Sequence, residues 1–253
     1  MTNIGVIFKK EDKLIAGTAE QVIKELKAKG YKINLAKAEF VITLGGDGTI
    51  LRAARLLMGK NIPILGVHMG GLGFLSELSL HELDEALLSI KKRKYTLDVR
   101  NAIEAKVGGR KVIALNDIVI SKSGIARVIK VEIEGIAEYI TDGIIISSAT
   151  GSTAYNLSAG GPILTPHSKC MVLSAICPHT ISTRPLVLEK PVTAILNRGK
   201  DAILTADGQV MIPLSVGQKI CVQSSNLQIK FMRVKPFDFF SRVQKAFAFG
   251  SRL

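Results

Sequence analysis

Apolar and polar positions follow two rhythms along the chain. Up to about Tyr95, short apolar runs alternate with stretches whose apolar residues recur every three or four positions, the spacing of one helix face. IGVIF (4–8), YKINL, FVITL (40–44) and IPILGVH (62–68) have the length and β-branched content of strands. FVITL is apolar throughout, as a parallel strand buried on both faces should be. Between them, Thr18-x-x-Gln21 has the spacing of a capping box, Val22, Ile23 and Leu26 share a face, and Gly30 ends the element. ILRAARLLM forms a second helix. Ser79-x-x-Glu82 opens a third, with Leu83, Ala86, Leu87 and Ile90 on its buried side. Strand and helix in alternation predict a parallel sheet covered on both faces.

From Tyr95 to about Val234 the period shortens to that of strands. Runs rich in Val, Ile and Thr recur between turn signals: TLDVRNAIEAKV, KVIALNDIVIS, RVIKVEIEG, AEYITDGIIISS, PLVLEKPVTAIL, DAILTADGQVMI, KICVQSS and LQIKFMRV. Such a density of short strands predicts an all-β domain of two packed sheets, a β-sandwich. FFSRVQKAFAF near the end is helix-capable and is expected to return to the first domain. The expected organisation is an α/β N-terminal domain over 1–95, joined by 235–253, and a β-rich domain over 96–234, with a cleft between them.

Composition narrows the class. The chain has 253 residues, 47% of them apolar, enough for a substantial core. No apolar run reaches the roughly 18–20 residues of a membrane span, and MTNIGVIFKKEDK does not resemble a secretory leader. Cys170, Cys177 and Cys221 form neither a disulfide framework nor a C-x-x-C pair, so the cytoplasm is the expected home. The formal charge of +13 admits anionic partners. Its one cluster, Lys91-Lys92-Arg93-Lys94, falls at a helix end, where cations complement the macrodipole. With 5% aromatics, no Trp and no RNA-binding signature, neither nucleic acid nor membrane is expected as a partner, and small polyanions remain.

The chemistry concentrates in a few places. FVITL runs into Gly45-Gly46-Asp47-Gly48-Thr49 and then a helix. A helix start of this kind presents N–H groups to phosphate, and glycines let oxygens approach the main chain. Asp47 does not serve that bonding, because an ionised carboxylate only accepts. It suits a general base on an attacking hydroxyl or a carboxylate near Mg²⁺, against the plain alternative of an Asp-Gly turn. Arg52, one turn into the helix, either faces the same anion or is a surface cation. Asp142-Gly143 and Asp207-Gly208 lie between strands and fit hairpin turns. Asp142, however, precedes the long small-residue segment IIISSATGSTAYNLSAGGPIL, where backbone and ligand can approach closely and Tyr155 offers an aromatic face for a base. Asn116-Asp117 interrupts VIALNDIVI, and two adjacent polar residues in a strand point to opposite faces, so at least one faces the interior, a cleft or a partner, either in structural bonding or toward a ligand. There is no P-loop motif, no nucleophile elbow and no zinc spacing among His68, His81, His167 and His179. Gly71-x-Gly73-x-x-Ser76 falls short of a dinucleotide fingerprint.

Taken together, GGDGT, Asn116-Asp117, TDG, TGSTAYNLSAGGPIL and PHTISTRPLVL resemble the NAD kinase family, of the ATP or polyphosphate/ATP type. GGDGT is shared with diacylglycerol, sphingosine and phosphofructokinase relatives, whereas GSTAYNLSAGGPIL is far more specific, and the whole chain follows the family's order. The resemblance implies phosphorylation of the 2′-hydroxyl of the adenosine ribose of NAD, giving NADP, with ATP or polyphosphate as donor and a divalent metal such as Mg²⁺. It implies that Asp47 accepts the proton, with Gly48 and Arg52 in the same loop and helix. The family's Asn-Glu pair falls on Asn116-Asp117, one methylene shorter here. Arg127, Asp142, Thr153, Ala154, Tyr155, Asn156, Leu157, Ser158 and Gln209 match other dinucleotide-contacting positions. Where many members carry a basic residue two before the TDG aspartate, this chain has Ile140. Assembly as a homo-oligomer, a dimer or tetramer, is also implied. The rivals are a lipid or sphingoid kinase sharing GGDGT, a non-catalytic NADP-binding sensor, and a basic nucleic-acid-binding protein.

Overall fold

The apolar run Phe40–Leu44 is buried at every residue and forms the middle of a parallel sheet. It belongs to the first of two units in the computed structural model, which describes residues 2–71, 73–124 and 128–247. This unit comprises the chain up to Val99 together with the residues from Ile229 onward, and the second runs from Arg100 to Gln228.

In the first unit the elements are β1 (Asn3–Phe8), α1 (Lys13–Ala28), β2 (Lys32–Ile33), β3 (Phe40–Leu44), α2 (Asp47–Leu57), β4 (Ile64–His68), β5 (Leu78–Ser79) and α3 (Leu83–Lys91). The strands pair in parallel in the order β5-β4-β3-β1-β2. One face carries Ile42, Leu65 and Val67 and is covered by Val22 and Leu26 of α1 and Leu83 and Leu87 of α3. On the opposite face α2 closes over the sheet, with Ile50 packed where a Cβ on Gly66 would lie. Both faces are thus buried, as continuous apolar strands require.

Two local expectations are corrected here. α1 begins at Lys13, because Asp12 caps it by accepting the N–H groups of Leu14 and Ile15 at 3.1 Å each. Thr18 lies inside the helix and donates its hydroxyl to Leu14 O, so it caps nothing. YKINL is a strand only at Lys32–Ile33, since Asn34 caps a 3₁₀ turn over Leu35–Lys37. The box at Ser79 and Glu82 forms as its spacing predicts. The basic run closes α3, with Arg93 left-handed (φ 56°) just beyond its end.

The second unit contains β6 (Thr96–Val107, which starts in the first), β7 (Arg110–Ala114), β8 (Asp117–Lys122), β9 (Ile129–Ile133), β10 (Ala137–Thr141), β11 (Gly143–Ser147), the single turn α4 (Tyr155–Ser158), β12 (Met171–Ile176), β13 (Leu186–Leu188), β14 (Val192–Arg198), β15 (Ala202–Ala206) and β16 (Val210–Pro213). The long β17 (Lys219–Arg233) ends in the first unit, where Phe231 pairs with Ile64 of β4. α5 (Phe239–Phe247) also belongs to the first unit. One sheet of the second unit runs β10-β9-β14-β17, with β6 on β17 and β7 on β6; the other runs β13-β12-β11-β8-β15-β16. Ile103, Val131 and Leu196 from the first meet Ile118, Ile144 and Leu173 from the second in one continuous core. The sandwich follows from the period-2 pattern, in which alternate residues of β9 and β14 are buried. Gly108-Gly109, both left-handed, turn β6 into β7.

Candidate functional site

The glycine turn of the first unit is built by three local constraints. β3 ends at Leu44, and Gly45 takes φ +143°, with no room for a Cβ because Thr49 Oγ1 would lie 2.5 Å away. Gly46 is the N-cap residue of α2 and Asp47 its first residue. Gly46 and Gly48 are exposed, and a Cβ on either would meet nothing within 4 Å. A side chain at either position would therefore point into open space, and the helix start lies at the surface, where its positive end favours an anion. Arg52 stands one turn after Gly48 on that side of α2, half-buried, with no ion-pair or hydrogen-bond partner among the described residues.

The Asp47 carboxylate does not close a surface bend. It is fixed by a segment in the loop after β4: Phe74 N–H donates to Oδ2 at 2.8 Å and Leu75 N–H to Oδ1 at 3.3 Å. Each oxygen keeps lone-pair capacity for a further donor. Gly73 makes this approach possible, since a Cβ there would sit 2.2 Å from Oδ1. The sequence reading treated Gly71-x-Gly73 only as a failed dinucleotide fingerprint and missed this role; the signal was a glycine pair directly after a buried parallel strand. A separate cavity of about 720 Å³ opens at the amino ends of the parallel strands, among Lys29, Tyr31, Arg93 and Tyr95, and includes no residue of the glycine turn.

In the second unit the polar pair is organised by a distant acid. Asp207 and Gly208, both left-handed, turn β15 into β16, and the Asp207 carboxylate accepts the N–H groups of Leu115, Asn116 and Asp117 at 2.9, 2.7 and 3.3 Å. The hairpin reading of Asp207 is right, and the acid also braces the entry to β8. Asn116 does not lie within a strand as expected: β7 stops at Ala114 and β8 starts at Asp117, because these N–H groups go to Asp207 instead of a ladder. Asn116 O accepts Ser148 N–H at 2.8 Å, and Gly151 packs so closely on it that a Cβ would come to 2.1 Å.

The side chains of this pair are left for something else. Asn116 Oδ1 is buried without a hydrogen-bond partner. An orphan of this kind costs about 1–3 kcal/mol unless a ligand supplies the donor. Asp117 is buried, and among the described residues its carboxylate accepts no hydrogen bond. Desolvation first, and then the Asp207 charge, push it up to about 7. Two adjacent acceptors without donors suit a ligand that brings hydroxyl or amide N–H groups.

The other expected residues separate into groups. Asp142 is not in a hairpin: β10 lies in one sheet and β11 in the other, so Asp142-Gly143 is the crossing between them. Its carboxylate pairs with Lys122 Nζ at 2.7 Å. Tyr155 is exposed at the start of α4, and Ala154, Leu157 and Ser158 are half-buried or exposed beside it. Thr153 donates to Thr150 O at 3.3 Å. Asn156 is fully buried, and its amide is spent on Ser152 O, Pro162 O and the Ser174 hydroxyl, so its side chain anchors the turn and is not open to a ligand. Gln209 follows the Asp207 turn. Arg127 lies outside the described residues. Among the described residues no three of His, Cys, Asp and Glu gather closely enough to hold a metal ion. No helix among the described residues is long and apolar enough to cross a membrane.

Residues 17–95 match the family model described as the ATP-NAD kinase N-terminal domain, and residues 115–234 match that of the ATP-NAD kinase C-terminal domain. A curated relative from Geotalea daltonii, named NAD kinase, is 36% identical over the full length of both chains. Among solved structures, an NAD kinase from Archaeoglobus fulgidus in complex with ATP superposes with a TM-score of 0.78 at 26% identity, covering 96% of this chain and 98% of that one. Yeast NADH kinase complexed with NADH shares the fold, with a TM-score of 0.87 at 21% identity over 100% of this chain and 89% of that one.

Proposed function

The chain belongs to the NAD kinase family, and from that footing we propose that it transfers the γ-phosphoryl group of ATP to the 2′-hydroxyl of the adenosine ribose of NAD, giving NADP and ADP. The observation that carries the reading in this chain is the Asp47 turn: an oriented carboxylate in the first turn of a helix, between two exposed glycines.

Asp47 receives the proton of the attacking 2′-hydroxyl on its remaining lone pairs while the new P–O bond forms and the bond to the β-phosphate oxygen breaks. The N–H groups at the start of α2 and the Arg52 guanidinium hold donor phosphates. A divalent cation, when bound with the donor, would supply charge neutralisation on the transferring group, beside the α2 N–H groups and Arg52. Asn116 and Asp117 take hydroxyl or amide hydrogens of NAD, and Tyr155 gives a ring face to a base. Thr153, Ala154, Leu157, Ser158, Asp142 and Gln209 line the dinucleotide through main chain or side chain, while Asn156 keeps their turn in shape.

The same reading extends to assembly as a homo-oligomer and to a place in the cytoplasm. The first is counted by light scattering; the second agrees with three free cysteines. The functional test is direct. Purified protein with NAD, Mg²⁺ and either ATP or polyphosphate should form NADP, read by an NADP-specific dehydrogenase; no NADP with either donor would refute the proposal.

A further inference from the structure

The segment that holds Asp47 is itself held from behind. In the peptide unit joining Gly73 to Phe74, the N–H donates to Asp47 Oδ2 at 2.8 Å and the carbonyl accepts Arg242 Nη1 at 2.8 Å. The next unit repeats the arrangement: Leu75 N–H donates to Asp47 Oδ1 at 3.3 Å, and Phe74 O faces the same Arg242 nitrogen at 3.4 Å. Arg242 Nη1 also reaches Ser76 O at 2.5 Å. A trans peptide is planar, with C=O and N–H pointing in opposite directions. Turning either plane away from Arg242 therefore turns its N–H away from Asp47. A cation on the carbonyl side also polarises the N–H groups toward the carboxylate.

Arg242 is carried by α5, and α5 is fixed against the same segment. Phe247 stacks on Phe74 with centroids 5.3 Å apart, Val243 is buried, and Phe237 lies 5.0 Å beneath the Arg242 guanidinium. Arg233 also contacts the segment, at Leu75 O and Ser76 O, but it is fully buried and tied to Asp98 and Glu77. Its removal would test stability first. Arg242 is half-buried and reaches the peptide units that face Asp47.

We infer that Arg242 is a positioning residue for phosphoryl transfer, aiming the Asp47 carboxylate through the peptide units of Gly73–Leu75. The inference rests on Asp47 being the proton acceptor. A misaimed base reduces the chemical step while leaving substrate affinity in place. In Arg242→Gln, kcat should fall about tenfold with the KM values for NAD and ATP within about twofold, and Arg242→Lys should recover part of the loss. In an Asp47→Glu background, where the extra methylene already displaces the carboxylate, Arg242→Gln should cost less than about twofold more.

Amide hydrogen exchange at Phe74 and Leu75 supplies a readout independent of turnover, and it should quicken in Arg242→Gln. An equal loss of kcat in both backgrounds would make Arg242 a structural clip, and unchanged exchange at Phe74 and Leu75 would overturn the inference whatever the kinetics. Full turnover in Asp47→Asn would instead refute the role of Asp47, and the exchange rates would still report whether Arg242 holds the segment.

Discussion

Replacing Asp117 by asparagine should make the free protein more stable, and only above a definable pH. The Asp117 carboxyl moves from an ordinary value of 3.8 to about 7 because burial strips its water and Asp207 repels its charge. The folded state therefore keeps a proton that the unfolded chain gives up. Between about pH 4 and 7 folding takes up that proton, so stability falls as pH rises through the window, and the cost is complete above it. At about 1.4 kcal/mol per pH unit, that interval corresponds to roughly 4 kcal/mol as an upper figure. Asparagine keeps the shape and removes the charge. Urea titrations of both proteins from pH 4 to 8 should give curves that coincide at the acid end, separate through the window and stay apart above 7, with Asp117→Asn the more stable. Adding NAD at pH 8 should narrow the gap if a ligand hydroxyl donates to the carboxylate. A stability difference independent of pH, or a less stable variant at pH 8, would refute this account of Asp117.

Further outcomes follow from the first unit. Gly73→Ala places a Cβ against Asp47 Oδ1, and the carboxylate cannot yield without giving up Phe74 and Leu75. The variant should fold, yet lose on the order of 100-fold in kcat, read in a coupled NADP assay beside a thermal melt. Arg233→Leu strands the buried carboxylates of Asp98 and Glu77. It should cost about 3–5 kcal/mol, seen by calorimetry as a Tm lower by roughly 10 °C. Chelating divalent metal should abolish NADP formation while leaving the melt of the ligand-free protein unchanged, because no described residues form a metal cluster on which the fold depends.

What the sequence made legible was local. FVITL followed by GGDGT indicates a buried strand entering a helix, and each constraint of that turn lies within a few residues: Gly45 against Thr49, Gly46 as the cap. The sandwich was legible for a similar reason, since period-2 burial is written into each strand. The partners of the site residues were not legible. Asp47 is held by Phe74 and Leu75, 27 and 28 residues away, and Asn116 by Asp207, 91 residues away. No spacing rule links such positions. Asp142-Gly143 shows the same limit. A two-residue turn between strands reads alike whether it closes a hairpin or crosses between sheets, and the pairing of β10 with β9 and of β11 with β8 decides it. The Thr18 box failed because the helix starts earlier, at Lys13, where Asp12 takes up the free N–H groups of Leu14 and Ile15.

The central claim is that Asp47 takes the proton from the attacking hydroxyl, and the kcat of Asp47→Asn tests it most directly. Asparagine fills the same space between Gly73 and the helix start but cannot accept the proton. With saturating NAD, ATP and Mg²⁺, turnover should fall by about 100-fold or more, while the melting temperature and both KM values stay near those of the parent. Near-full turnover with an unchanged pH profile would contradict the account.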